Sequence, residues 1–215
     1  MAKGFRLLEN QNQKNPGRNK MADNEIELAG VLQFDEQDVY SLQHLLWNQV
    51  QPRIIEIGCW SGFSTVYLAT WAKQRGGHVW SIDTFDGRGS DLPEKKIGDP
   101  YECMMRNLQR FNLVDTVTVI KGESDKSVAL VPDDCTMLFI DGDHRYDQVK
   151  RDLDNYGDKI KHGIVCGHDL NGIGWDEKYI NIDHHDYYHH GVAKAVIEKF
   201  GKVLILPKSI WVTFK

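Results

Sequence analysis

From residue 53 onward, short apolar runs and amphipathic stretches alternate along the chain. Residues 53–57 (Arg-Ile-Ile-Glu-Ile) form a run rich in β-branched side chains, the pattern of a buried strand. A helical pattern covers 61–75, and a second strand is expected at 78–83. Helix near 99–112, strand 116–121, a short helix near 124–131, strand 136–141, helix 145–158 and strand 164–167 continue the series. Alternation at this pace predicts βαβ units, with a parallel sheet covered on both faces. The rhythm breaks at the end. Within 202–214 two apolar runs flank Pro207-Lys208 with no room for a helix, so they should pair as an antiparallel hairpin. The expected fold is α/β and doubly wound, a mostly parallel seven-stranded sheet with a C-terminal antiparallel hairpin. Upstream, Phe34-Asp35-Glu36 reads as a helix start, and Val39, Leu42, Leu46 and Val50 recur at helical spacing. Residues 1–25 read as a flexible N-terminal segment, polar and aperiodic from residue 9, and 26–215 as one domain.

Composition narrows the classes. Hydrophobic content of 41% and charged content of 27% are ordinary for a globular protein. A net charge of −5 with scattered basic residues argues against a nucleic-acid backbone as partner. No apolar run reaches the roughly 20 residues of a membrane span. The four cysteines, Cys59, Cys103, Cys135 and Cys166, form no CxxC pair, which suits reduced thiols and a cytoplasmic location.

The chemistry begins where the first strand ends. Glu56-Ile-Gly58-Cys59-Trp60-Ser61-Gly62-Phe63-Ser64 places two glycines between strand and helix, where positive φ and bare backbone let a ligand approach. The second strand ends in Asp83, positioned to accept hydrogen bonds from a ribose diol. A dinucleotide fold needs G-x-G-x-x-G for its pyrophosphate. Here the pattern is E-x-G-x-x-x-G, and an acid two residues before the first glycine suits a cofactor carrying a positive charge and an amine. The loop resembles motif I of the class I S-adenosylmethionine (SAM) methyltransferases, in which it carries the methionine moiety.

Ligands in such folds bind outside the C-terminal ends of the strands. Those ends carry Gly58, Asp83, Gly122-Glu123-Ser124, Asp141 and Asp169. The 122–124 turn lines an adenine pocket in the methyltransferase reading; alternatively, Ser124 is simply a helix N-cap. Asp141-Gly142-Asp143-His144 crowds ionisable groups at one strand end, and His168-Asp169 lies at the next. In an extended segment Asp141 and Asp143 would face the same side. Clustered carboxylates at neighbouring strand ends suit a shared Mg²⁺, Mn²⁺ or Ca²⁺.

The run Ile140-Asp141-Gly142-Asp143-His144-Arg145-Tyr146 followed by Gly167-His168-Asp169 resembles the metal-dependent small-molecule O-methyltransferases. That group includes cephalosporin-hydroxylase-like and macrocin- or novobiocin-type sugar enzymes. The resemblance runs from about residue 53 to the end and takes in Gly191–Val196 and Ser209-Ile210-Trp211. It implies cofactor contacts from Glu56, Gly58, Cys59, Trp60, Gly62, Ser64, Asp83, Gly122, Glu123, Ser124 and Asp141. It also implies metal ligation by Asp141, His168 and Asp169, and proton transfer by Asp143 or His144. Relatives often have Asp where this chain has His168, and an imidazole makes the site softer, admitting Mn²⁺, Fe²⁺ or Zn²⁺. SAM, a divalent metal (Mg²⁺ or Mn²⁺) and a small hydroxylated acceptor, a sugar or secondary metabolite, are therefore expected.

The stretch 171–190 is rich in Trp, Tyr and His and follows His168-Asp169 directly. It is read as a substrate lid, with a surface loop, an oligomer contact and a second metal site as alternatives. A metal-dependent hydrolase or oxygenase, or a non-catalytic SAM-binding protein, would use parts of the same pattern. A nicotinamide-dependent oxidoreductase would need the missing G-x-G-x-x-G. The sequence does not decide between a monomer and a homo-oligomer.

Overall fold

The computed structural model describes residues 26–28, 36–86, 98–170 and 190–215. Helix α1 (Glu36–Leu46) precedes β1 (Arg53–Ile57), α2 (Phe63–Gln74), β2 (His78–Asp83), α3 (Pro100–Arg110), β3 (Val117–Lys121) and the single turn α4 (Ser124–Ser127). There follow β4 (Cys135–Ile140), α5 (Tyr146–Gly157), β5 (Ile160–Gly167), α6 (His190–Phe200), β6 (Leu204–Ile205) and β7 (Trp211–Phe214).

The seven strands form one sheet in the order β3-β2-β1-β4-β5-β7-β6. β1 to β5 pair in parallel; β7 runs antiparallel to β5 and to β6. The fold is thus the mostly parallel sheet with a C-terminal antiparallel hairpin that the sequence predicts. Helices cover both faces, so neighbouring strand residues are buried on opposite sides. Ile54 joins the core under α1, α2 and α3, and Ile55 joins the core under α5 and α6. Burial on both sides is why the strands read as continuous apolar runs rather than alternating ones.

Two expectations are corrected. β5 begins at Ile160, four residues before the apolar run, because Lys161 and His162 face solvent while their backbone continues the ladder. The apolar stripe of α1 also stops early: Leu42 and Leu46 are 1% exposed, but Val50 lies beyond the helix end at 84%. The 1–25 segment, residues 34–35 and the stretch 171–189 lie outside the described residues. Among the described residues no helix is long and apolar enough to cross a membrane. All four cysteines are free and buried.

Candidate active site

The sheet order puts the ends of β1, β2, β4 and β5 side by side, with the β1 turn at the centre. Gly58 and Gly62 take φ of +83° and +82°. A Cβ on Gly58 would lie 2.2 Å from the Asp141 carbonyl oxygen, so this turn is pressed against the chain leaving β4. Only glycine fits there.

Asp83 accepts hydrogen bonds at Oδ2 from the Cys59 and Trp60 amides, at 2.9 and 2.8 Å. Its Oδ1 accepts from the Phe85 amide at 2.7 Å. A carboxylate offers about four acceptor positions, so the chain itself uses all but one. The arrangement fits a nucleoside diol at the remaining position on Oδ1. A pyrophosphate, by contrast, would meet a carboxylate where it needs free N–H donors.

Glu56 lies beneath the turn rather than in it. It is 0% exposed, and the hydroxyls of Ser64, Thr65 and Ser81 each donate to it at 2.6 Å. Burial raises its pKa, opposed by those three hydroxyls. The structure therefore does not bring Glu56 to a ligand; it braces the turn from below. Ser64, expected to touch cofactor, serves this carboxylate. Thr65 and Ser81 escaped sequence reading, although Ser81 sits directly opposite Glu56 in the β1–β2 register. Asn107 of α3 was missed too: its Nδ2 donates to the Ser61 carbonyl at 2.9 Å and to that of Glu27 at 2.8 Å.

At the end of β3, the Gly122 amide donates to the Asp83 carbonyl at 2.9 Å, joining this turn to the first. Glu123 is half-buried and pairs with Lys126 at 2.6 Å. Ser124 is the first residue of α4, not its cap, and its hydroxyl donates to Asp152 of α5 at 2.6 Å.

The ends of β4 and β5 carry the charged cluster. Asp141, His144 and Asp169 each offer a ligand atom, all within 4.8 Å of one another. Asp169 lies between two imidazoles: His144 Nε2 is 2.8 Å from its Oδ2, and His168 Nδ1 is 3.2 Å from its Oδ1. His168 Nδ1 is also 3.7 Å from Asp141 Oδ1. Asp143 is not in this group. The strand stops at Ile140 and the chain bends at Gly142, so the alternation that would align Asp141 with Asp143 is broken. Asp143 instead accepts from the Arg145 amide at 2.9 Å and ion-pairs with its guanidinium.

The electrostatics follow from this packing. Burial, opposed by His168 and aided by Asp169, pushes Asp141 up to about 7. Burial works against charge on His168, but Asp141, Asp169 and Asp38 outweigh it and raise the imidazole to about 11. Asp169 is likewise pushed up by burial, yet its bonds to His144 and His168 hold it well below the carboxylate range. Two oxygen donors and two nitrogen donors converge where charges of one sign would otherwise repel. That donor set fits a divalent cation.

A seven-stranded sheet in this order, with a glycine turn after β1 and acids at the next strand ends, is the architecture of the SAM-dependent methyltransferases. Residues 55–170, more than half of the chain, match the methyltransferase domain family, and the chain belongs to that family. Solved structures agree in fold. A candidate caffeoyl-CoA O-methyltransferase from Staphylococcus aureus is 18% identical, with a TM-score of 0.65 over 86% of each chain. The cofactor-bound protein Rv0187 from MTB is 17% identical, with a TM-score of 0.63 over 88% of this chain and 84% of that one. A SAM-dependent O-methyltransferase from Thermotoga maritima is 13% identical, with a TM-score of 0.56 over 86% and 66%.

Proposed function

We propose that this methyltransferase moves a methyl group from SAM to a hydroxyl of a small acceptor, a sugar or secondary metabolite, assisted by a divalent ion. The observation that carries the proposal is the Asp141–His144–His168–Asp169 cluster, adjoining the glycine turn through the contact of Gly58 with Asp141. When bound, SAM supplies an electrophilic methyl on sulfur, and the ion supplies Lewis acidity that favours the acceptor's alkoxide.

The chain's own residues do the rest. The backbone from Gly58 through Cys59 and Trp60 to Gly62 lines the methionine end, and Asp83 Oδ1 takes a ribose hydroxyl. The 122–124 turn flanks the adenine. Asp141 and Asp169 would hold the ion, with His168 supplying a nitrogen. His144 takes the acceptor's proton at Nδ1, and Asp169 Oδ2, 2.8 Å from Nε2, stabilises the imidazolium. Asp143 is the weaker base: burial raises its carboxyl, but Arg145 outweighs that and holds it below its usual range. Alignment of acceptor oxygen, methyl and sulfur supplies the remaining rate.

Calorimetry with S-adenosylhomocysteine, NAD⁺ and Mn²⁺ tests the reading. We expect binding of S-adenosylhomocysteine and of one Mn²⁺, and none of NAD⁺. We also expect Asp141→Asn to abolish Mn²⁺ binding and methyl transfer to catechol or sugar probes, while S-adenosylhomocysteine affinity stays within about threefold, because Asp141 meets the glycine turn through its backbone, which the substitution keeps. Binding of NAD⁺ in place of S-adenosylhomocysteine refutes the cofactor, and methyl transfer undiminished by chelator refutes the metal.

A further inference from the structure

Helix α1 lies outside the stretch that matches the family, yet it reaches the charged cluster. Leu42 and Leu46 pin one side of α1 to the core. Asp38 is one turn before Leu42 on that same side, so the packing that buries the leucines also drives a carboxylate inward. Asp38 is 2% exposed, with Oδ2 at 3.4 Å from His168 Nε2. From the other end of the chain, Ser209 is 4% exposed, and its hydroxyl lies 2.9 Å from the same nitrogen. The His168 amide donates to the Ile140 carbonyl at 3.0 Å, and the Leu170 amide to that of Ser209 at 3.0 Å, so the backbone cannot turn the ring away.

We infer that Asp38 and Ser209 are positioning residues for His168: they hold the proton on Nε2 and leave Nδ1, which faces Asp141 and Asp169, as the nitrogen that ligates an ion, making His168 a nitrogen donor of the site. The inference rests on the metal reading above and adds the residues that build it. A buried carboxylate facing Nε2 demands a proton there, since a lone pair opposite Asp38 would be repelled. Nδ1 then faces carboxylate oxygens at 3.2 and 3.7 Å. Neighbouring ligands on an ion with bonds of about 2.0–2.2 Å stand roughly 3 Å apart, so these separations need little adjustment. An imidazole that ligates through one nitrogen and donates from the other to a carboxylate is the usual way a protein orients a metal histidine.

Mn²⁺ titration of the full chain, with S-adenosylhomocysteine affinity measured alongside, tests this. We expect Asp38→Ala to weaken Mn²⁺ binding about 10–100-fold, the usual effect of losing such a partner. S-adenosylhomocysteine affinity should stay within about threefold. Asp38→Asn, whose amide oxygen still accepts from Nε2–H, should recover most of the Mn²⁺ affinity, which a merely structural role would not predict. Failure of the wild type to bind Mn²⁺ overturns both this inference and the metal reading. Binding that Asp141→Asn abolishes and Asp38→Ala leaves unchanged overturns this inference alone. Should Asp38→Ala not fold, Ser209→Ala decides: unchanged Mn²⁺ affinity overturns the pairing, and a weakening supports it.

Discussion

The two halves of the strand-end site treat their acids in opposite ways. On the β1–β2 side each carboxylate is answered by uncharged donors of the chain: Glu56 by three hydroxyls, Asp83 by three backbone amides. On the β4–β5 side Asp141 and Asp169 are answered by imidazoles, and charges face charges. The first half is finished without a ligand and serves as a preformed cradle. The second half balances carboxylates against imidazoles, and under the metal reading proposed above a cation would take the place of their protons. The difference matches the division of labour in methyl transfer. SAM needs a shaped, water-excluding seat, whereas the acceptor hydroxyl needs its proton removed.

The sharpest way to break this comparison is to remove one acid from each half. Glu56→Ala strands three buried hydroxyls at once. Each unsatisfied group costs about 1–3 kcal/mol, so we expect a loss of at least about 3 kcal/mol of stability in denaturant melts. Asp141→Asn in chelator should cost less than about 1 kcal/mol, because it keeps an acceptor and relieves a crowded charge. Equal losses from the two changes would show that the halves do not differ as described.

How much of this was legible follows the same division between local and non-local pattern. The glycine turn, Asp83 and the acids after β4 and β5 each sit at the end of an apolar run, and the end of a run can be read one strand at a time. The hydroxyls around Glu56 needed the β1–β2 register, because Ser81 is adjacent only after the strands pair. Asp143 was misplaced because one bend at Gly142 cancels the two-residue alternation. Asp38 was hidden inside an apolar stripe, where only Val39, Leu42, Leu46 and Val50 were counted; its partner His168 is 130 positions away. Pairings of that kind are set by packing of whole elements, which no short window contains.

A smaller effect is expected at Asp83, which belongs to both structure and ligand in the cradle. Asp83→Ala should weaken S-adenosylhomocysteine by about 1–3 kcal/mol, the usual loss for a hydrogen bond to a charged group. Mn²⁺ affinity should be unmoved, since Asp83 belongs to the glycine-turn half and not to the charged cluster. Calorimetry on the same samples reads both. A parallel fall in Mn²⁺ affinity would mean that the two halves are one coupled unit.

Asp152 tests, with the smallest effect, whether hydrogen bonding by uncharged groups fully compensates a buried acid. It is 1% exposed and accepts from Ser124 at 2.6 Å and from Gln148 at 3.1 Å. Burial nonetheless raises it to about 6, with the bonds from Ser124 and Gln148 opposing and Asp125 adding. The folded protein therefore holds this proton more tightly than the unfolded chain, whose Asp titrates near 3.9. Below pH 4 both states are protonated and the acid costs nothing. As pH rises to 6 the unfolded state ionises first, so stability is lost across that window and stays lost above it. Asp152→Asn keeps the acceptor for Ser124 and Gln148 and removes the ionisation. At pH 7.5 we expect the variant to be more stable than the wild type by about 1–3 kcal/mol, and at pH 4 the two should melt together. A gain that is equal at both pH values would assign the effect to packing. No gain at either would mean that two donors suffice for a buried carboxylate here.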